Sequence, residues 1–174
     1  MSLPLQKIQR TLAVEQIDGW LLYDFHGSNP IAVKLAGLAG SDKLTTRRWF
    51  YFIPATGTPK KVVHAIEPSV LDSVPGDPLV YAGRRQFEQQ VTDMLRGCKV
   101  LAMEYSAECG IPYLSRVDAG TVEFLRRIGM RIVSWVQWLC LPIVGVIFTT
   151  LPALDAQTRL LTGRYLEYRV TEKA

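Results

Sequence analysis

Apolar and polar positions follow two alternating periods over the first 134 residues. In residues 4–17, Leu5, Ile8, Leu12 and Ile17 recur near helical spacing and predict an amphipathic helix. GWLLYDF (19–25) follows, a short apolar and aromatic run bounded by Gly19 and a polar loop, and predicts a strand. Asn29 and Pro30 have the form of a helix cap with proline at the first helical position. The helix they open, IAVKLAGL, stops in AGLAGSD. RWFYFI and KVVHAI read as the two strands of a hairpin, with Pro54 to Pro59 and Gly57 as its turn. EPSVLDSV predicts a short helix ending at Pro75-Gly76, and LVYAG another strand. In RRQFEQQVTDMLRG, Phe87, Val91, Met94 and Leu95 share a helical face that Gly97 terminates. KVLAMEY predicts a strand. Asp118 caps a helix with Val122, Leu125 and Ile128 on one face, Gly129 ends it, and MRIVS is the last strand.

This order of elements, with short connections, predicts an α/β layer structure. The hairpin forces an antiparallel pair, so the sheet should be mixed, with about six strands and helices on its faces. Residues 1–134 form this unit and residues 135–174 an atypical tail. IVSWVQWLCLPIVGVIFTTLPAL (132–154) carries no charge and is bracketed by Arg131 and Asp155. That length suits a bilayer span, and Trp135 and Trp138 suit an interface. Pro142, Gly145 and Pro152 interrupt a helix, and Gln137, Thr149 and Thr150 are polar. Packing onto the domain or a partner is the competing reading, and residues 155–174 are polar enough for a small terminal helix.

Composition narrows the function classes. Apolar residues make up 48% of the 174-residue chain and charged residues 21%, a globular balance. The formal charge is +4, and the basic residues come as scattered pairs (Arg47-Arg48, Lys60-Lys61, Arg84-Arg85, Arg126-Arg127) rather than a stripe. Nucleic-acid binding is not expected. Cys98, Cys109 and Cys140 are odd in number and lack metal-ligand spacing, so neither a disulfide framework nor a zinc knuckle is expected. A reduced, cytoplasmic setting is the expectation, and the N-terminus lacks the pattern of a signal peptide.

Candidate chemistry is sparse. His26 and His64 are the two histidines, too few for a hydrolytic metal site, and His64 alternates within a strand as a sheet-face residue would. Glu104 and Glu108 flank a strand end and can be imagined as an acid/base pair, but nothing near them suggests a nucleophile. No glycine-rich phosphate loop is present. DAGT (118–121) opens a helix whose first amides could hold an anion. In the loop after the first strand, Asn29 reads as a cap, while Asp24 and His26 remain available to a ligand. Arg47 and Arg48 at a strand start could clamp a carboxylate.

DGWLLYDFHGSNPIA, RRWFYFIPATGTP, VLAMEYSAECGIPYLSRVDAGTVEFLRRIG and the closing IVS occur in order, with matching gaps, from about residue 4 to Ser134. Together they resemble the N-terminal domain of the creatinase and Xaa-Pro aminopeptidase (prolidase-like) family. The resemblance implies a mixed, ribonuclease-H-like sheet flanked by helices. It also implies a non-catalytic role in oligomerisation and substrate access, as a homo-oligomer or peptidase subunit. His26, Asn29, Arg47 and Arg48 would then be the candidates to border the substrate cleft of a partner subunit. The family's dinuclear metal centre, built from Asp, Asp, His, Glu and Glu, lies in a C-terminal domain that no position here matches, so no cofactor is expected. Family members continue after the last strand into a polar linker, whereas SWVQWLCLPIVGV follows here, as a frameshift or truncation would produce. Three functions remain open at this point. The first is the non-catalytic module, which the residues favour. The others are a small hydrolase using the His26 loop and a domain tethered to a membrane by residues 135–154.

Overall fold

The structure, a computed structural model, describes residues 3–40 and 45–133 and, further on, residues 157, 158 and 161. The chain divides into two units, Met1–Val136 and Gln137–Ala174. In the second, residues 157, 158 and 161 are helical and exposed. The expected membrane segment, residues 135–154, lies outside the described residues. Among those described, no helix is long and apolar enough to cross a membrane.

The elements of the first unit follow from local chemistry. Helix α1 (Leu5–Val14) buries Leu12 and is followed by strand β1 (Gly19–Asp24). All six residues of β1 are buried, which explains why its sequence is a continuous apolar run rather than an alternating one. Asn29 caps α2 (Pro30–Leu35) with proline at its first turn, as the sequence predicts. Strands β2 (Trp49–Pro54) and β3 (Lys60–His64) form the expected hairpin, with Gly57 at φ +94° in the turn. Strand β4 (Asp77–Tyr81) leads into α3 (Arg84–Met94), then β5 (Val100–Ala102). Two 3-10 turns, Ala107–Cys109 and Pro112–Leu114, precede α4 (Ala119–Arg127) and β6 (Arg131–Val133).

The sheet is mixed and six-stranded, in the order β4-β3-β2-β1-β5-β6. Strand β2 runs antiparallel to β1 and β3, and the β3–β4, β1–β5 and β5–β6 pairs are parallel. Residue alternation on β1 and β2 then divides the core. Leu21 pairs with Phe52 and Tyr23 with Phe50, and these four meet Phe87 and Val91 of α3 and Val122 and Leu125 of α4 in one cluster. The neighbours on β1 and β2 point to the opposite face, where α1 packs on β2 and α2 on β1. Complete burial of each large aliphatic or aromatic side chain contributes ~1.5–3 kcal/mol, so the paired centre of the sheet dominates the fold's stability.

Two elements differ from the sequence reading. EPSVLDSV (67–74) is a series of turns, not a helix. Its local hydrogen bonds are three-residue links such as Val70 N–H to the Glu67 carbonyl (3.3 Å), and a tertiary donor claims the carbonyls of Leu71 and Val74. The buried Lys61 ammonium donates to the carbonyls of Leu71 (2.9 Å) and Val74 (2.7 Å), and the Tyr51 hydroxyl donates to that of Pro75 (2.9 Å). The segment serves as the crossover that parallel β3 and β4 require. Strand β5 is shorter than KVLAMEY because both its neighbours offer short ladders: β1 pairs with it through Gly19 and Trp20, and β6 has three residues.

Gly76 closes that crossover at φ +128°, and a Cβ there would lie 2.5 Å from the Pro59 carbonyl oxygen. That carbonyl also accepts from the Asp77 N–H (3.0 Å), so the clash falls where β4 docks on β3. Gly76→Ala is expected to lower the unfolding free energy by about 2–4 kcal/mol through strain and overpacking. Urea denaturation of the full chain measures it, and an unchanged midpoint would contradict this account of the turn.

Candidate functional site

Two polar assemblies sit where β1 ends. The first is buried. Asp24, the last residue of β1, accepts from the backbone N–H groups of Gly27 (3.0 Å) and Asn29 (2.9 Å). Asn29 has no solvent exposure. Its Oδ1 accepts from the N–H groups of Ile31 (3.2 Å) and Ala32 (3.1 Å), capping α2. Its Nδ2 donates to the Tyr23 carbonyl (2.9 Å) and to Glu104 Oε2 (2.8 Å). The other Glu104 oxygen accepts from Trp20 Nε1 at 2.5 Å. Burial pushes the Glu104 carboxyl up to about 7, against the pull of the Asn29 and Trp20 hydrogen bonds.

The second assembly is open. A cavity of about 850 Å³ lies outside the C-terminal ends of β1, β3 and β4 and the N-terminal end of β2. Tyr23 and Phe25 enter from β1 and its loop, Arg47 and Arg48 precede β2, and His64 and Tyr81 end β3 and β4. In open α/β sheets, the carboxyl ends of strands are where ligand crevices form. Glu67 fixes the approach to β2, accepting from Thr46 through its N–H (2.9 Å) and its hydroxyl and from the Arg47 N–H (3.2 Å). Burial pushes the Glu67 carboxyl up, but these hydrogen bonds and the Arg47 charge outweigh it and hold the group low. The Tyr81 hydroxyl donates to the Arg48 carbonyl (2.7 Å), and the His64 ring stands edge-on to Tyr81 with centroids 4.9 Å apart. His64 Nδ1 accepts from the Ile66 N–H (3.1 Å), so Nε2 carries the proton of the neutral ring.

Asp118, at the cavity rim, caps α4. Its carboxylate accepts from the Tyr23 hydroxyl (2.6 Å) and from the Thr121 N–H and hydroxyl (both 2.8 Å). Burial of Asp118 raises its pKa, but the Tyr23 and Thr121 bonds and the Arg48 charge outweigh this and lower it overall. Burial and the neighbouring Asp118 push the Tyr23 phenol well above its usual range.

The structure separates the residues that sequence reasoning grouped. Arg47 and Arg48 line the cavity. His26 is exposed, at φ +57°, edge-on to Phe25 and outside the cavity lining. Asn29 and Asp24 are buried and engaged with their own chain, so Asp24 is not free for a ligand as the sequence suggested. Glu104 and Glu108 form no pair: Glu104 is buried against Trp20 and Asn29, whereas Glu108 is exposed in a 3-10 turn. Of the first amides of α4, that of Thr121 is taken by the Asp118 carboxylate, which also sets a negative charge where an anion would sit. Sequence reasoning did not connect Arg84, Arg116, His64 or Tyr81 with Arg47 and Arg48, although all line one cavity. Among the described residues, no three His, Cys, Asp or Glu side chains converge to hold a metal ion. The ligand set of the implied dinuclear centre therefore does not fit residues 3–40 and 45–133.

No protein-family model and no curated protein matches the sequence. Solved structures do match the fold. The creatinase/prolidase N-terminal domain of an X-Pro dipeptidase from Streptococcus pyogenes superposes with a TM-score of 0.54 at 14% identity, over 78% of this chain and 95% of that one. A proline dipeptidase structure from Streptococcus agalactiae gives 0.53 at 16% identity, over 75% and 92%. The X-Pro aminopeptidase from Thermotoga maritima gives 0.53 at 14% identity, over 74% of this chain but 32% of that one. The six-stranded mixed sheet and its flanking helices thus have the fold of a creatinase/prolidase N-terminal domain.

Proposed function

We propose that residues 3–133 act as the non-catalytic N-terminal domain of an Xaa-Pro peptidase-like protein, an oligomerisation and substrate-access module. The observation that carries this reading is the match over 95% of a structure that is itself such a domain from an X-Pro dipeptidase. One feature of the chain agrees with it. The buried polar groups around β1 serve the fold: Asp24 and Asn29 close the loop into α2, and Glu104 joins them from beyond β5. In this reading the cavity beside Arg47 and Arg48 borders the path that a peptide takes to an active site built elsewhere, and the domain brings no cofactor of its own.

The test is turnover. The full chain, purified and supplied with Mn²⁺, Co²⁺ or Zn²⁺, is expected to leave Xaa-Pro dipeptides and Xaa-Pro-Xaa tripeptides uncleaved. Light scattering after size exclusion is expected to show a dimer or higher oligomer. Metal-dependent cleavage that survives mock-purification controls would overturn the non-catalytic assignment, and a monomer at high concentration would remove the oligomerisation part.

A further inference from the structure

The cavity at the ends of β1, β3 and β4 is strongly basic. Among the described residues, four arginines line it (Arg47, Arg48, Arg84 and Arg116) against one carboxylate, Asp118. That carboxylate is already committed to Tyr23 and Thr121. Arg84 is held by Glu88 at 2.9 Å, and Arg116 Nε donates to the Tyr113 carbonyl at 3.0 Å. Arg47 and Arg48 form no ion pair with any described residue. Both line the same cavity, Arg47 on the side of Glu67, whose carboxylate is engaged with Thr46 and the Arg47 N–H, and Arg48 on the side of Asp118.

The Arg48 guanidinium carbon lies over the Phe87 ring, 4.9 Å from its centroid. That contact tethers the guanidinium at the cavity wall, and a guanidinium is a group that can receive an oxyanion bidentately. Helix α3 begins at the same wall. Its cap is Gly83, no side chain accepts from its first amides, and its first turn holds no acidic residue. Helix α4, on the other side of the cavity, does carry an acidic cap. Gathering guanidiniums round one opening costs stability through like-charge repulsion, and sequences violate such local rules chiefly at functional sites.

We propose that this cavity binds a small oxyanion, a carboxylate or a phosphate, between the guanidiniums of Arg47 and Arg48, with Arg116 and the start of α3 adding positive potential. The site is complete within one copy of the chain and does not depend on the peptidase-domain reading. The volume of about 850 Å³ admits a ligand larger than the anion, which would be its anchoring group.

Calorimetric titration of the full chain with inorganic phosphate and, separately, with succinate tests this, at constant ionic strength with chloride as the balancing anion. At least one of the two is expected to bind, and which one identifies the source of the oxyanion. The double variant R47Q/R48Q is expected to weaken that binding by about tenfold or more, while R96Q, whose arginine pairs with Asp93 outside the cavity, leaves it unchanged. Should the double variant lose its native circular dichroism, R48K replaces it, keeping the charge but not the planar fork, and is expected to weaken binding several-fold. Absence of binding of either anion to about 20 mM overturns the proposal. So does binding that the cavity variants and R96Q affect equally.

Discussion

Replacing Asn29 by alanine is expected to lower the unfolding free energy by about 2–4 kcal/mol, through a lost helix cap and buried partners left unsatisfied. The side chain has no solvent exposure and makes four hydrogen bonds, two to the first amides of α2, one to the Tyr23 carbonyl and one to Glu104. Alanine removes all four at once and leaves water no easy route to the orphaned groups. Asn29→Asp separates the contributions. An aspartate keeps the cap acceptor but loses both donors, and it places a second carboxyl where Asn29 now donates to Glu104 at 2.8 Å. Two carboxyls at that separation cannot both ionise without a large penalty. Asn29→Asp is therefore expected to be close to Asn29→Ala at pH 8 and partly recovered at pH 5, where one proton can be shared. Urea denaturation of the full chain at both pH values decides it. If aspartate were tolerated at pH 8, the link to Glu104 would be unimportant, and Asn29 would be a cap and nothing more.

The same residue shows what a sequence makes legible. The cap could be read from Asn-Pro because capping is local: donor, acceptor and the first helical turn lie within three residues of one another. Asp118 was legible for the same reason. The continuous burial of β1 and β2 follows from both faces of these central strands being covered, and the mixed character of the sheet was legible from the hairpin and the short connections, whereas the strand order was not. The partner of Asn29 was not legible, because Glu104 lies 75 positions away and reaches it through the pairing of β1 with β5. Asp24 looked free for a ligand because its acceptors' partners are backbone amides, which a sequence does not display. Residues 67–74 look helical by composition, but Lys61 takes the carbonyls of Leu71 and Val74 and Tyr51 that of Pro75 just beyond, and tertiary contact overrides local propensity. Arg47 and Arg48 were visible as a pair. Their cavity was not, since it needs Arg84 from α3, Arg116 from the turn before α4 and Tyr81 from β4 to converge on the same end of the sheet.

Stability of the full chain is expected to decline as the pH rises from about 4.5 to about 7, with Glu104 as the cause. The sign follows from proton binding. Burial lifts the folded carboxyl from 4.5 to about 7, so across that interval the folded chain retains a proton that the unfolded chain has released. Rising pH then favours the unfolded state until both forms are ionised, beyond which Glu104 contributes no further slope. At ~1.4 kcal/mol per pH unit, the loss is on the order of 3 kcal/mol. Asp18, Glu67 and Asp118 act in the opposite sense. Their folded pKa values lie below the ordinary ones, so their stabilisation is present above about 4 and is lost as acid protonates them. The profile should therefore peak near pH 5 rather than at neutrality. Glu104→Gln isolates the alkaline limb. Glutamine keeps the volume and one acceptor but turns an amide donor toward either Trp20 Nε1 or Asn29 Nδ2, so the variant is expected to be clearly less stable than the parent at pH 5. Because glutamine does not titrate, the gap should narrow toward pH 8 as the parent loses its advantage. Parallel slopes for the two proteins between pH 5 and pH 8 would show that the buried proton resides on another group.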